Sequence, residues 1–399
     1  MRIMFLIDSL EGGGAERACL NIANELCKDN DVCVTAMFDA DFPGYYVDPR
    51  IQIKELKIRK SASLLQKPRI YYQEISRLRR LKKEWHVDCC VSFLETANFL
   101  NVLSCVGEKT IASVRNYYSL SLTRERLWFQ KLKAFFVGRR ADKIISVSKA
   151  AAWDLVENFH TPEEKITVIY NMYDPDQVSF NRKEETYDRF EDLLQENPDS
   201  VRYISVGRMV PQKGQQHLIR AFRKLVEELP NAQLFLFGDG EEREYLEKVI
   251  CVNGLEKNVH LMGFDPGIGS YLKQANVYVC TSLWEGFSNS ILEAFVNEVP
   301  VISTDCRSGP RELLAPDTDC ISEARGIEYA EYGILTPVCS GDQTLTVDPL
   351  EKEESALADA MIHMGKDRSL RERYAQKSRK RAEAFRRDVI VRQWKDIIK

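Results

Sequence analysis

No stretch of this chain approaches the roughly 20 apolar residues that a membrane-spanning helix needs, so none is expected. At the start, MRIMFLIDSL has only five apolar residues in a row before Asp8. That is too short for the core of a secretory leader and fits a buried first strand. The 11 cysteines lack a pattern: none lies in a C-x2-C or C-x4-C pair, and Cys89 and Cys90 are adjacent, a poor geometry for a shared metal or an ordinary disulfide. An odd count, with Cys19, Cys33, Cys105 and Cys280 inside apolar runs, points to reduced core thiols in a cytosolic protein. Excess positive charge is missing as well. Against 56 Lys+Arg stand 60 Asp+Glu, and a net charge of −4 argues against general nucleic-acid binding. Histidine is scarce, and His86, His160, His217 and His260 stand in helix or strand contexts where a core or surface role is expected.

What is present is a 399-residue chain, 44% hydrophobic and 29% charged, long enough for two domains that each bury a core. Charge is uneven: residues 1–180 hold 26 Lys+Arg against 23 Asp+Glu, whereas the remainder holds 30 against 37. Any anionic surface should therefore be met by the first half. Apolar runs that read as buried strands alternate with helical stretches twice over. The first series runs IMFLI, DVCVTAMF, DCCVSF, KTIASV, KIISVS and ITVIYN, and the second RYISVG, QLFLFG, NVHLMG, VYVCTS, VPVIS and GILTP. Such alternation implies parallel sheets with helices on both faces. The polar stretch 174–200 is the linker candidate, and the final 30 residues, rich in Arg, Lys and Ala, read as helix.

Residues 277–304, VYVCTSLWEGFSNSILEAFVNEVPVIST, read strand, loop, helix, strand. Glu285 falls in the loop and Glu293 eight positions later in the helix. Gly286 supplies flexibility, and Ser288 and Asn289 are N-cap candidates. A helix starting there aims backbone N–H groups and a positive dipole end at the mouth of the sheet, which suits a diphosphate. Two carboxylates beside such a site can receive sugar and ribose hydroxyls. Arg208 and Lys213 follow the strand RYISVG, where ligands of open α/β sheets bind. The plainer alternatives are solvated cations, a loop carboxylate and a dipole-complementing Glu293. Gly12, Gly13 and Gly14 follow the first strand, where glycine allows positive φ and close approach of a ligand. The G-x-G-x-x-G spacing of a dinucleotide site is absent.

E-G-F-S-N-S-I-L-E resembles the E-x7-E motif of retaining glycosyltransferases of the GT-B fold, family 4 type, which use nucleotide sugars. RIMFLIDSLEGGGAERACLNIANEL is similar to that family's first strand, glycine-rich loop and first helix. ADKIISVSKAAAWDL resembles the end of its N-terminal domain and VIYNMYD its interdomain junction. ISVGRMVPQKGQQHLIRAF resembles the phosphate-binding start of its second domain, and LFLFGDGEEREYLE the next strand and helix. DCRSGPRELL resembles bacterial members that transfer hexoses or N-acetylhexosamines to lipid-linked glycans.

The resemblance implies two Rossmann-like domains with parallel sheets facing across a cleft. Residues 1–180 would bind acceptor and 181–375 nucleotide sugar, with a helix over 376–399 crossing back to the first domain. By the same resemblance Arg208 and Lys213 neutralise the leaving diphosphate, so no metal or cofactor is expected. Glu285 contacts donor-sugar hydroxyls and Glu293 the ribose. Phe287, Ser288 and Asn289 offer backbone amides to the phosphates, and Gly13, Gly14, Gly207 and Gly286 line the donor site. Many relatives carry a His after the strand matching TIASV, where this chain has Arg115 and Asn116. An Arg stays charged and cannot serve as an ordinary general base. Either the leaving phosphate takes the acceptor proton, or Arg115 and Asn116 position acceptor or donor groups.

The expected reaction is transfer of a hexose or N-acetylhexosamine, with retention, from a UDP-linked donor to a growing lipid-linked glycan. A nucleotide-sugar epimerase of the same fold and a catalytically silent sugar-nucleotide-binding partner protein are the alternatives. Two basic-aromatic stretches could meet the cytoplasmic face of an anionic inner membrane. One holds Lys67, Arg69, Arg77, Arg79, Arg80, Lys82 and Lys83. The other runs from Arg124 to Arg140 and contains Trp128, Phe129, Phe135 and Phe136. A solvated face backed by core aromatics is the bland reading of each.

Overall fold

A strand buried on both faces reads as an unbroken apolar run, and such runs pair in parallel when helices cover both faces. The computed structural model describes residues 1–10, 13–38, 46–56, 67–121, 124–173, 182–347 and 349–399, and has this architecture twice. One unit is Met1–Met172 with Arg387–Lys399, the other Tyr173–Arg386.

The first unit runs β1 (Arg2–Ile7), α1 (Gly14–Leu26), β2 (Asp31–Ala36), β3 (Gln52–Glu55), α2 (Lys67–Glu84), β4 (Cys89–Phe93), α3 (Glu95–Leu103), β5 (Lys109–Val114), α4 (Tyr118–Ser121), α5 (Arg124–Arg140), β6 (Lys143–Ser146), α6 (Lys149–Phe159) and β7 (Ile166–Val168). The strand order is β3-β2-β1-β4-β5-β6-β7, and every described pairing is parallel. Alternation within β1 shows how both faces are used. Ile3, Phe5 and Ile7 join one core with α1 and the C-terminal helix, whereas Met4 and Leu6 join another beneath α2 and α3.

The second unit runs α7 (Glu184–Glu196), β8 (Arg202–Val206), α8 (Gln215–Glu228), β9 (Gln233–Phe237), α9 (Arg243–Val252), β10 (Val259–Gly263), α10 (Ile268–Leu272), β11 (Val277–Cys280), α11 (Asn289–Val296), β12 (Val301–Thr304), α12 (Pro310–Leu314), β13 (Glu328–Tyr329), β14 (Ile334–Thr336), α13 (Lys352–Lys366) and α14 (Arg368–Ala382). Its sheet order is β10-β9-β8-β11-β12-β14-β13, with β13 antiparallel at the edge. One face packs Leu234, Leu236, Val277, Val279 and Ile302 against α8, α9 and α13.

Three expectations need correction. The stretch 174–200 is not all linker, because 184–196 is α7. Its Phe190 is fully buried, with ring centroids 4.7 Å from Phe235 and 5.2 Å from Tyr271. Tyr187, Phe190 and Leu194 recur at helical spacing, a stripe masked by the charged Asp188, Arg189, Glu191 and Asp192 between them. The boundary between units falls after Met172 instead of 180. The last 24 residues are not one helix, since α14 belongs to the second unit and α15 (Arg387–Ile398) to the first. An extended Arg386 (φ −59°, ψ 147°) separates them, and Trp394 of α15 stacks on Phe93 at 6.0 Å.

Candidate active site

In the second sheet β8 has β9 on one side and β11 on the other, so the chain reverses its winding direction between β8 and β11. Loops leaving the carboxyl ends of such strands diverge and open a crevice. Lys213 ends the 3-10 turn Pro211–Lys213 after β8, and Glu285 lies in the loop after β11. The structure brings them together: Lys213 Nζ donates to Glu285 Oε1 at 2.5 Å, and Ser282 Oγ donates to the same oxygen at 2.7 Å. Glu285 is 6% exposed. Burial works to lower the Lys213 pKa, but the Glu285 carboxylate outweighs it and the net shift is upward.

Backbone bonds hold this pair in place. Leu283 N–H donates to Gln212 O at 2.8 Å, Gln212 Nε2 to Trp284 O at 2.7 Å, and Thr281 Oγ1 to Lys213 O at 2.9 Å. From the other side Glu285 N–H donates to Arg307 O at 2.6 Å, while Ser308 Oγ donates to Gly286 O at 2.8 Å. Gly214 must be glycine, since its φ is +56° and a Cβ there would lie 2.4 Å from Thr281 O. At Gly207 a Cβ would press on the Lys213 stem at 3.2–3.3 Å, so glycine lets that stem lie over the backbone. Arg311, read only as part of a motif, is a buried brace that donates to Asp305 and Glu328.

The other donor-site candidates of this unit lie on the same loop and helix. Gly286, Phe287 and Ser288 are buried and Asn289 partly so. Ser288 is the N-cap of α11, although its side chain makes no capping bond, contrary to the expectation from its type. Glu293 is 7% exposed and sits in the second turn of α11, too deep for the first-turn dipole role. Arg208 is exposed, and among the described residues its side chain has no ion-pair or hydrogen-bond partner. Sequence reading missed Ser282, whose signal was its place at a strand's carboxyl end.

In the first unit Gly13 is the N-cap of α1 with φ −91°, so positive φ is not its purpose. A Cβ there would meet the Glu16 carboxylate, at 2.4 Å from Oε2. Gly14 opens α1, and Gly12 lies outside the described residues. Arg115 follows β5 and is 8% exposed, with Cζ 4.8 Å from the Phe93 ring centroid. Asn116 hydrogen-bonds the Glu95 carboxylate. Sequence reading missed Asp8 and Glu95, which follow β1 and β4, again at carboxyl ends of strands. Asp8 Oδ1 accepts from Ala97 N–H at 3.1 Å, and burial, then Glu95, raises its pKa to about 7.

The basic stretches divide on folding. Lys82 leaves the list of surface cations: it is fully buried and donates to Glu108 at 2.6 Å and to Asn101 Oδ1 at 2.8 Å. On α5, Trp128, Phe129, Leu132 and Phe135 are exposed while Phe136 packs against Phe99. The bland reading of core aromatics therefore fails for three of the four. The side chains of Lys67, Arg69, Arg124 and Arg126 lie outside the described set. Cys105, placed in an apolar run, is exposed.

Metal-ligating side chains converge at one place among the described residues. Atoms of His217, Cys339 and Glu351 lie within 4.8 Å of one another. His217 Nδ1 bonds Glu354 at 2.8 Å, and Glu351 accepts from Ser340 N–H at 3.0 Å and from Ser340 Oγ at 2.5 Å. These partners make the group an internal brace at the start of α13. Asp-x-Asp triplets, a common metal-binding pattern, occur at 29–31, 39–41, 174–176 and 317–319. Of these, 29–31 and 317–319 lie among the described residues, and neither is part of the Lys213–Glu285 cluster.

Comparison with known proteins agrees with the topology. The model of the glycosyl transferases group 1 matches residues 188–324, and that of glycosyltransferase family 4 matches residues 12–177. An uncharacterized glycosyltransferase of Methanocaldococcus jannaschii is 36% identical over 65% of the chain and 63% of its own length. An N-acetylgalactosamine-N,N'-diacetylbacillosaminyl-diphospho-undecaprenol 4-alpha-N-acetylgalactosaminyltransferase of Campylobacter jejuni is 26% identical over 98% of the chain and 97% of its own. The fold is also that of HepE of Anabaena in complex with UDP and glucose, with a TM-score of 0.75 and 19% identity over 99% and 98% of the two chains. With its two Rossmann-like sheets and the strand-end pair Lys213–Glu285, the chain belongs to the GT-B-fold glycosyltransferases of the group 1 and family 4 type.

Proposed function

We propose that the protein is a retaining glycosyltransferase that moves a hexose or N-acetylhexosamine from a UDP-sugar to a lipid-linked, growing glycan. The observation that carries this reading is Lys213 held against the buried Glu285 at the strand ends, beside the start of α11. An ammonium has three donors, so Lys213 can turn toward an arriving diphosphate while Glu285, held by Ser282, turns an oxygen to a sugar hydroxyl. Arg208, exposed and without a described partner, supplies the second cation. Backbone amides of Phe287, Ser288 and Asn289 add donors at the helix start, where negative charge develops as the glycosidic bond breaks. Two cations and a helix N-terminus supply the charge that a divalent ion would otherwise bring, so the reaction runs without metal.

The diphospho-undecaprenol acceptor in the name of the Campylobacter relative and the UDP bound by HepE support the acceptor and donor classes. Among the described residues no helix is long and apolar enough to cross a membrane. The exposed Trp128, Phe129, Leu132 and Phe135, with Lys131, Arg139 and Arg140 beside them, suit peripheral contact with an anionic lipid surface. A thermal-shift screen of sugar nucleotides tests the donor, because a cognate ligand stabilises by mass action. Labelled UDP-sugar should then pass its sugar to a diphosphate-linked acceptor. Conversion to a second sugar nucleotide without transfer would instead identify an epimerase.

A further inference from the structure

Arg115 is a buried cation with unused donors. It is 92% covered, and among the described residues its Nε and Nη1 have no hydrogen-bond partner. A guanidinium withdrawn from water is normally paired with a carboxylate, because desolvation of an unpaired charge is costly. Here its described contact is the face of Phe93, which is itself stacked on Trp394. Cation–π attraction orients the group but leaves its N–H donors unfilled. Burial pushes its pKa down to about 10, which leaves it charged at neutral pH, and Cys19 of α1 works against that shift.

The position matters as much as the vacancy. Arg115 directly follows β5, at the carboxyl end of the first sheet, where open parallel sheets bind ligands. The two unfilled donors, Nε and Nη1, lie on different edges of the guanidinium, and each can make a charge-assisted bond to a phosphoryl oxygen. We propose that Arg115 is the receptor for a phosphoryl oxygen of the substrate, turning from the Phe93 face to form charge-assisted bonds. The proposal deepens the transferase reading on which it rests. It names a phosphoryl anion, which could come from the donor nucleotide or from the phosphate linking an acceptor glycan to its lipid.

Two measurements need no turnover. Arg115→Gln should melt at or above the wild-type temperature, because it removes an unpaired buried charge; a marked drop would make Arg115 a structural residue and overturn the proposal. Inorganic pyrophosphate is then titrated by calorimetry into Arg208→Ala/Lys213→Ala, where the second unit's cations are gone. Adding Arg115→Gln should weaken the remaining affinity by roughly 10- to 100-fold, the range of charge-assisted hydrogen bonds. Unchanged or undetectable affinity in both proteins counts against it. In kinetics, Arg115→Gln should raise one KM far more than it lowers kcat, and Arg115→Lys should recover part of the loss. A higher KM for the UDP-sugar identifies the donor phosphate. A higher KM only for a diphosphate-bearing acceptor, not for the same glycan without phosphate, identifies the acceptor's. Equal loss of kcat with both KM values unchanged refutes the assignment even if transfer itself is established.

Discussion

Lys213→Met separates a catalytic ion pair from a merely structural one. The substitution removes the ammonium but keeps an apolar stem of similar length over Gly207. Glu285, 6% exposed, then loses its counter-charge and, among the described residues, keeps the Ser282 hydroxyl. Breaking a buried pair costs about 3–5 kcal/mol. The Lys213 side chain is 20% exposed, so solvent screening brings the cost below that range, to about 2–3 kcal/mol. For a domain of this size that corresponds to a melting-temperature loss of roughly 5–10 °C. Lys213→Met/Glu285→Gln should recover most of it, since no unpaired charge remains. Activity should behave differently: loss of a donor aimed at developing charge costs about 10²–10³ in kcat, and the double variant restores none of it. Calorimetric melting and a transfer assay on both purified variants make the comparison. Return of turnover together with stability in the double variant would refute the catalytic role. The pH dependence follows from the upward shift of Lys213. A lysine raised on folding contributes stability that is fully present below its unfolded value of 10.5 and is lost as pH climbs through the folded value. The stability gap between wild type and Lys213→Met should therefore hold across neutral pH and close only in strong alkali.

Asp8→Asn should leave melting unchanged near pH 4 and raise it at pH 8. The folded Asp8 keeps its proton up to about 7 while the unfolded chain releases it near 3.8, so its cost grows across that interval; a pH series showing no such divergence would count against the half-buried Asp8–Glu95 pair. Phe190→Ala should cost about 3–5 kcal/mol in urea unfolding, and a loss below about 1 kcal/mol would mean that α7 is not docked on the sheet. Transfer should continue in EDTA, and activity abolished by chelation and restored by a divalent ion would contradict charge neutralisation by Arg208 and Lys213. Replacing Trp128 and Phe129 by Ser should reduce co-sedimentation with anionic liposomes and leave transfer to a soluble acceptor intact; partitioning equal to wild type would make α5 an ordinary solvated helix. Cations near such a surface add about 1 kcal/mol each, so rising salt should weaken the association.

Alternation of apolar runs with helical periodicity was enough to determine two parallel sheets, because burial on both faces leaves an unbroken apolar signature in each strand. The loop position of Glu285, the helical position of Glu293 and the strand-end placement of Arg208 and Lys213 were legible for the same reason: they follow from where strands and helices stop. Pairing was not. Residues 213 and 285 meet only because β8 and β11 are neighbours across a reversal in winding, a fact of long-range topology that no local window contains. Nor could charge alone tell Lys82, buried against Glu108, from the exposed Lys83 beside it, since helix rotation against α3 decides which one faces water. The stripe of α7 escaped notice because two strongly apolar anchors, Phe190 and Leu194, suffice once an aromatic wall of Phe235, Phe237 and Tyr271 is present to receive them. Asp8, Glu95 and Arg115 carry the same lesson. Their unusual protonation or unfilled hydrogen bonds arise from desolvation, which depends on what the rest of the chain packs around them, and the tertiary structure alone decides that.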